Sequence, residues 1–224
     1  MRVFIAEKHS LAQAIAQHLP GDKLRGNGFI QAGSSIVTWA VGHVLELAPP
    51  EHYNPAWKNW NAAAAALPFP IERFALLPKK ESAAQFDIIS SLIAQASECV
   101  NAGDPGREGQ MLIDEILEQC AWDGPTLRLQ VNATDPASMK KALASMRPNT
   151  EFNNLYQAAK CRAQADWIVG MNLTVAATKA LWMDGGLRSH ALHVVATLTG
   201  VVFDVIPGRR SYNRCEAVFS NGNG

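Results

Sequence analysis

Apolar residues in this chain fall in short blocks separated by polar turns, and the spacing inside the blocks changes along the sequence. Val3-Phe-Ile-Ala6, introduced by Arg2, is an unbroken apolar run of the kind a strand buried on both faces carries. Ser10 to His18 follows with helical spacing; Ser10 is its expected N-cap and Pro20-Gly21 its stop. Ile36 to Val41 predicts a second strand, ended by Gly42. Tyr53 to Trp60 is irregular and aromatic, and leads through Ala62 to Ala66 into the strand-like Phe74-Ala-Leu-Leu77. Ser82 to Ala96 predicts a helix, Glu98 to Ala102 a strand, Gly103 to Glu108 a polar turn, and Gln110 to Cys120 a helix. Leu127 to Val131 predicts another strand, and Asp135-Pro-Ala-Ser138 opens a helix through Met146 that Arg147-Pro148 closes. Strands that alternate with helices in this way specify an α/β fold with a parallel sheet.

The pattern changes after Pro148, where 153–179 reads as one long helix carrying Lys160, Arg162 and Lys179 beside Leu155, Ile168 and Leu173. The expected organisation is therefore an α/β domain over 1–150, the start of a mainly helical domain over 151–182, and a divergent tail over 183–224 whose Ser220-Asn-Gly-Asn-Gly224 end has the composition of disorder. The 224 residues are 48% hydrophobic and 18% charged, which excludes disordered, collagen-like and coiled-coil classes. Net charge is zero, from 13 basic against 15 acidic residues up to Asn149 and 7 against 5 after it. Four scattered cysteines with no CxxC pair argue against a zinc ribbon or a disulfide framework and fit a reducing cytoplasm. No stretch has the length and apolarity of a membrane span.

Two segments carry candidate chemistry. Glu7-Lys8 leaves the first strand at its carboxyl end, where open α/β sheets place ligands; there a glutamate can transfer protons or bind metal, and a lysine can hold a phosphate. A surface ion pair is the alternative. Gly103-Asp-Pro-Gly-Arg-Glu-Gly109 also leaves a strand and enters a helix, so Asp104 and Glu108 stand beside free helical N–H groups. Carboxylates gathered there suit Mg²⁺ bridging to a phosphate, with Arg107 as a phosphate contact; a Gly/Pro-rich turn with Asp104 as a cap explains the same residues.

The order of five segments resembles the type IA DNA topoisomerases, and among them the bacterial topoisomerase III branch. They are Phe4-Ile-Ala-Glu-Lys-His-Ser-Leu-Ala-Gln-Ala-Ile-Ala16, Val41-Gly-His-Val-Leu-Glu-Leu-Ala-Pro-Pro-Glu-His-Tyr53, Gly103-Asp-Pro-Gly-Arg-Glu-Gly-Gln110, Asn132-Ala-Thr-Asp-Pro-Ala-Ser138, and Arg162-Ala-Gln-Ala-Asp-Trp-Ile-Val-Gly-Met-Asn-Leu-Thr174. The resemblance implies a Toprim fold, a Rossmann-like parallel sheet flanked by helices that holds Mg²⁺ on acidic residues. It also implies an enzyme that cuts one DNA strand, passes another through the gap and reseals it. Carried onto this chain, Glu7 is the family glutamate for proton transfer or metal binding, and Lys8 stabilises the scissile phosphate. The resemblance likewise implies Asp104 and Glu108 as metal ligands, and His43, Arg107, Arg162 and Gln164 as contacts to DNA, preferentially as a single strand.

Departures from the pattern are equally specific. Gly106 replaces the second aspartate of the acidic motif, and Val175 stands where arginine is usual. The family's nucleophilic tyrosine belongs to a later domain; Tyr53, Tyr156 and Tyr212 are the only tyrosines, and none is recognised as that nucleophile. The resemblance ends near residue 180, so the expectation is an N-terminal portion of such an enzyme that is not competent by itself. The alternative is a stand-alone Toprim nuclease or primase-like protein, or a non-catalytic DNA-binding remnant.

Overall fold

The computed structural model describes residues 1–183. Packing divides the chain into two units, one of residues 1–55 and 71–167, the other of residues 56–70 and 168 onward. In chain order the strands are β1 (Arg2–Ala6), β2 (Lys23–Gly26), β3 (Phe29–Ala32), β4 (Ser35–Trp39), β5 (Leu45–Leu47), β6 (Leu76–Pro78), β7 (Glu98–Ala102), β8 (Thr126–Arg128) and β9 (Arg147–Pro148). The α-helices are α1 (His9–His18), α2 (Pro50–Tyr53), α3 (Trp60–Ala65), α4 (Ala83–Ala94), α5 (Arg107–Gln119), α6 (Pro136–Ala144) and α7 (Asn153–Met183).

The first unit is built on a seven-stranded sheet in the order β2-β3-β4-β1-β7-β8-β9, with β5 and β6 forming a separate antiparallel pair. Its centre, β4-β1-β7-β8, is parallel, while β2-β3-β4 and β8-β9 are antiparallel. β1 is fully enclosed because alternate residues feed two cores. Val3 and Ile5 join Ile89, Ile93, Ile113 and Ile116 on one face, and Phe4 and Ala6 join Leu11, Ile15, Leu129 and Met139 on the other. Thus α4 and α5 cover one side of the sheet, and α1 and α6 the other.

Several boundaries differ from the sequence reading. Ser10 lies inside α1, whose N-cap is Lys8, because the chain turns directly from β1 into the helix. The hairpin β2-β3 was not expected, since β2 is an edge strand exposed along its whole length and carries no apolar alternation. Its turn does carry a signal, Asn27-Gly28, with Gly28 at φ +74°. Arg147 and Pro148 close no helix; they pair with Arg128 and Leu127 as an edge strand, a position where the missing proline N–H is harmless.

In the second unit, Asn59 caps α3 by accepting from the N–H groups of Asn61 and Ala62. Phe69 N–H donates to Asn172 Oδ1 at 2.9 Å, and Trp57 packs its ring on Phe69. Val175 is buried here, which suits valine. No helix among the described residues is long and apolar enough to cross a membrane.

Truncating a β1 side chain should show how much of the first unit depends on it. Phe4→Ala is expected to lower the unfolding free energy by about 3–5 kcal/mol in urea titration, since Phe4 is fully enclosed and the neighbouring strands cannot close over the void.

Candidate active site

β1 and β7 run in parallel with Ala6 level with Ala102, so Glu7-Lys8 and Gly103-Asp104 leave the sheet together at its carboxyl edge. Asp104 N–H donates to Glu7 Oε2 at 3.0 Å, and Lys8 Nζ donates to Asp104 Oδ2 at 2.8 Å. The hydrogen bond to Asp104 raises the Lys8 pKa; slight burial opposes it and the charges of Asp104 and Glu7 reinforce it. The ammonium is therefore held charged at neutral pH.

Glycine closes the turn. A Cβ on Gly103 would lie 2.0 Å from Gly109 O, and one on Gly109 would lie 2.3 Å from Asp104 O, so strand end and helix start can approach only without side chains. Gly106, the N-cap of α5, adopts φ +144° and ψ 172°, a conformation essentially reserved for glycine. The side chain it lacks would meet nothing within 4 Å. The absent aspartate thus leaves open space together with a backbone that an aspartate would strain.

Behind the turn lies a buried polar network that sequence reading missed. Arg128, 2% exposed, donates from Nη1 to the carbonyls of Asn101, Gly103 and Leu129 and to Asn101 Oδ1, and from Nη2 to Asp104 O. Asn101 in turn donates to Asp114 Oδ1 at 2.9 Å and accepts from Gly103 N–H at 3.0 Å. Gln110 and Asn149 complete the set around Asp114, at 2.7 and 2.8 Å. Burial raises the Asp114 carboxyl pKa, although its three hydrogen-bond donors and Arg128 resist the shift. Burial also pushes the Arg128 guanidinium down to about 10, which leaves it charged at neutral pH. The available signal was polarity in the wrong place: Asn101 and Arg128 each interrupt a short apolar strand.

Glu108 forms a second cluster, with Arg107 Nε and Arg162 Nη1 each 3.4 Å from its Oε1. Arg162 also lies 3.8 Å from Asp166, one helical turn along α7. His43 is within electrostatic reach of Glu7 and Glu108, whose charges favour its protonated form. Crowding by the protein and the nearby Lys79 outweigh them and lower its pKa. Gln164 is not at this turn; it lines a separate cavity with Glu115 and Lys160. A cavity of about 580 Å³ adjoins the turn, lined by Lys8, Ser10, Asp104, Asn132 and Thr134 among others. Tyr53 accepts a hydrogen bond from Ala75 N–H at 2.9 Å, and the Tyr156 hydroxyl is bonded to Glu118. Tyr212 lies outside the described residues.

The Toprim domain family matches residues 2–134. The chain belongs to the Toprim family. It is similar to DNA topoisomerase 3 of Haemophilus influenzae, at 44% identity over 183 residues that make up 80% of this chain and 28% of that protein. It is similar also to DNA topoisomerase 3 of Salmonella typhimurium, at 40% identity over 80% of this chain and 28% of that protein. For the Bacillus cereus protein of the same name the figures are 37%, 79% and 24%. A solved structure, full-length topoisomerase I from Thermotoga maritima, has a TM-score of 0.44 at 13% identity, covering 77% of this chain and 24% of that one. The chain therefore spans about a quarter of the length of the relatives it matches.

Toprim domains typically bind a divalent metal, and the donors here suit one in kind. Glu7 and Asp104 offer hard carboxylate oxygens, and the two residues are linked by the Asp104 backbone N–H, which donates to Glu7. Among the described residues no three His, Cys, Asp or Glu side chains gather as a cage. The fit is to an ion held by two carboxylates and completed by water and phosphate.

Removing the guanidinium behind the turn tests its structural role. Arg128→Met should cost at least about 3 kcal/mol in denaturant titration, because the carbonyls of Gly103 and Asp104 lose their side-chain donor and Asp114 loses the nearby charge. Gly103→Ala should be more damaging than Gly106→Ala, since only the former drives a methyl into backbone.

Proposed function

We propose that this Toprim chain supplies the phosphate-handling part of a type IA DNA topoisomerase of the topoisomerase III kind. Its substrate is DNA, engaged as a single strand, and its place of action is the bacterial cytoplasm. The observation that carries the reading is the join of Glu7, Lys8 and Asp104 at one sheet edge, in a chain 37–44% identical to proteins named DNA topoisomerase 3. On this reading the charged Lys8 meets the scissile phosphate, and Glu7 accepts or returns a proton there. Residues 151–182 begin the helical DNA-binding domain, with Arg162 and Arg107 beside the strand and His43 near it as a neutral imidazole.

Mg²⁺ is the proposed divalent ion, held by Glu7 and Asp104 with Glu108 nearby, and when bound it neutralises phosphate charge. The missing carboxylate at Gly106 makes that hold weak, because water must replace a ligand. No tyrosine among the described residues is proposed as the nucleophile. Tyr53 is fixed by packing against Trp167 and by its bond to Ala75. Burial and the Glu118 carboxylate raise the Tyr156 pKa well beyond that of an ordinary phenol, which makes it a poor attacking group.

Two measurements test the reading. By titration calorimetry, Gly106→Asp should bind Mg²⁺ more tightly than the natural chain; equal affinities would remove the argument from the missing ligand. In the absence of metal the same variant should lose about 1–3 kcal/mol of stability, from the backbone strain an aspartate meets there. The chain by itself should bind single-stranded DNA weakly and leave negatively supercoiled plasmid unrelaxed. Relaxation that depends on Tyr212 would overturn this view.

A further inference from the structure

The first unit carries another cavity, of about 330 Å³, at the lower end of the range of small-molecule sites. α5 presents Glu115 and Glu118 to it, α7 presents Lys160, and Phe74, Leu76 and Leu77 form an apolar wall. Two of the three charges cancel. Lys160 Nζ lies 2.9 and 2.8 Å from the two Glu118 oxygens, and the Tyr156 hydroxyl bonds the same carboxylate.

Glu115 is left over. The residue is 7% exposed, and among the described residues its carboxylate makes no hydrogen bond and no ion pair, its oxygens facing the cavity. A buried carboxylate without partners is costly to keep ionised. Burial pushes this one up to about 7; Lys160 pulls it down from a distance, and Glu118 and Asp114 push it further up. Two carboxylates against one ammonium leave the lining at net −1 when Glu115 is ionised.

An anion has no free cation to meet here, and no three metal-ligating side chains converge among the described residues. A donor-rich cation with an apolar body meets both features of the cavity. We propose that this cavity binds a small organic cation, a primary amine or guanidinium head on a short apolar chain, with Glu115 taking the head and Phe74, Leu76 and Leu77 the chain. The site is separate from the acidic turn and does not depend on the topoisomerase reading. The cation is a free small molecule or the lysine or arginine side chain of a partner peptide, and the two sources share this chemistry.

The test is titration calorimetry on the full chain with n-butylammonium, with a capped Gly-Lys-Gly peptide, and with n-butanol as the neutral control. Saturable binding of the amine or the peptide, without binding of the alcohol, supports the site. Amine binding without peptide binding identifies a free small molecule, and tighter peptide binding identifies a partner's side chain. If neither cation binds, the proposal fails.

Glu115→Gln should weaken the cation at least about tenfold, a loss of about 1.4 kcal/mol; undiminished affinity in a folded variant overturns the assignment. The variant keeps the side chain's shape and removes a lone buried charge, so it should fold. Its advantage in melting midpoint over the natural chain should grow as the pH rises from about 4.5 to about 7 and level off above that. The sign follows from a raised folded-state pKa, whose stabilising contribution is present at low pH and is lost as the carboxyl ionises.

A second readout needs no variant. Glu118 and Asp114 on α5, Lys160 and Tyr156 on α7 and His52 on α2 are the titratable groups around Glu115 among the described residues. Of these Lys160 and Glu118 are already joined. Cation binding near neutral pH should therefore release a proton from Glu115, seen as a dependence of the heat on buffer ionisation enthalpy. Binding without proton release overturns the role of Glu115.

Discussion

A guanidinium enclosed in the sheet holds the acidic turn where it is. Arg128 is buried at the end of β8, and its donors reach the carbonyls of Asn101, Gly103 and Asp104, the residues over which β7 becomes the turn. Carbonyls at a strand end that have lost their sheet partner must find another donor or water. Here one rigid, planar cation supplies the carbonyls of Gly103 and Asp104 and adds to the Leu129 N–H that the Asn101 carbonyl already accepts, so it cannot swing away without abandoning several buried acceptors at once. Its own charge is linked through Asn101 to Asp114, so a chain of hydrogen bonds runs from the turn back to α5, with Arg128 Nε and Gln110 Oε1 left unpaired inside it. The position of Asp104, and through its N–H that of Glu7, follows from this anchoring.

Backbone closure adds a second constraint. Gly103 and Gly109 bring the strand end and the first turn of α5 closer than any side chain permits, which aims the helix N-terminus at the same edge of the sheet. Gly106 sits between them in a conformation that favours glycine, so the lost aspartate is more than a missing ligand. Restoring the carboxylate would ask the turn to change shape. A site with two carboxylates and this backbone is internally consistent, and it sits closer to an open, water-completed ion site than to a cage.

Much of this was readable from residue order. The apolar run of β1 and the alternation of strands with helices specify the doubly covered sheet, and the exits of β1 and β7 locate Glu7, Lys8 and Asp104. What escaped was of two kinds. β2 is an edge strand with every residue exposed, so no burial pattern marks it and only Asn27-Gly28 betrays the hairpin. Asn101, Asp114 and Asn149 come from three distant parts of the chain, and their meeting depends on tertiary packing that periodicity does not encode. Gln164 shows the same limit: it shares a helix with Arg162, yet Arg162 pairs with Glu108 while Gln164 lines the other cavity, because two positions along a helix turn a side chain by more than half a revolution.

The electrostatics of the turn bear on how a phosphate could enter it. Glu7 accepts from the Asp104 N–H, Asp104 holds Lys8, and Glu108 stands between Arg107 and Arg162. Each carboxylate is thus already matched within the protein, and an incoming phosphate finds partners to exchange. Such exchange is easy where the pairs are weak. Lys8 and Asp104 are 56% and 42% exposed, and a pair so open to water is worth at most about 1 kcal/mol. Lys8 can therefore leave Asp104 for a phosphate at small cost, which at the same moment frees an Asp104 oxygen for a cation. On the proposed reading, anion and cation entry would be coupled through the Lys8 ammonium, with the buried network behind it as the fixed part.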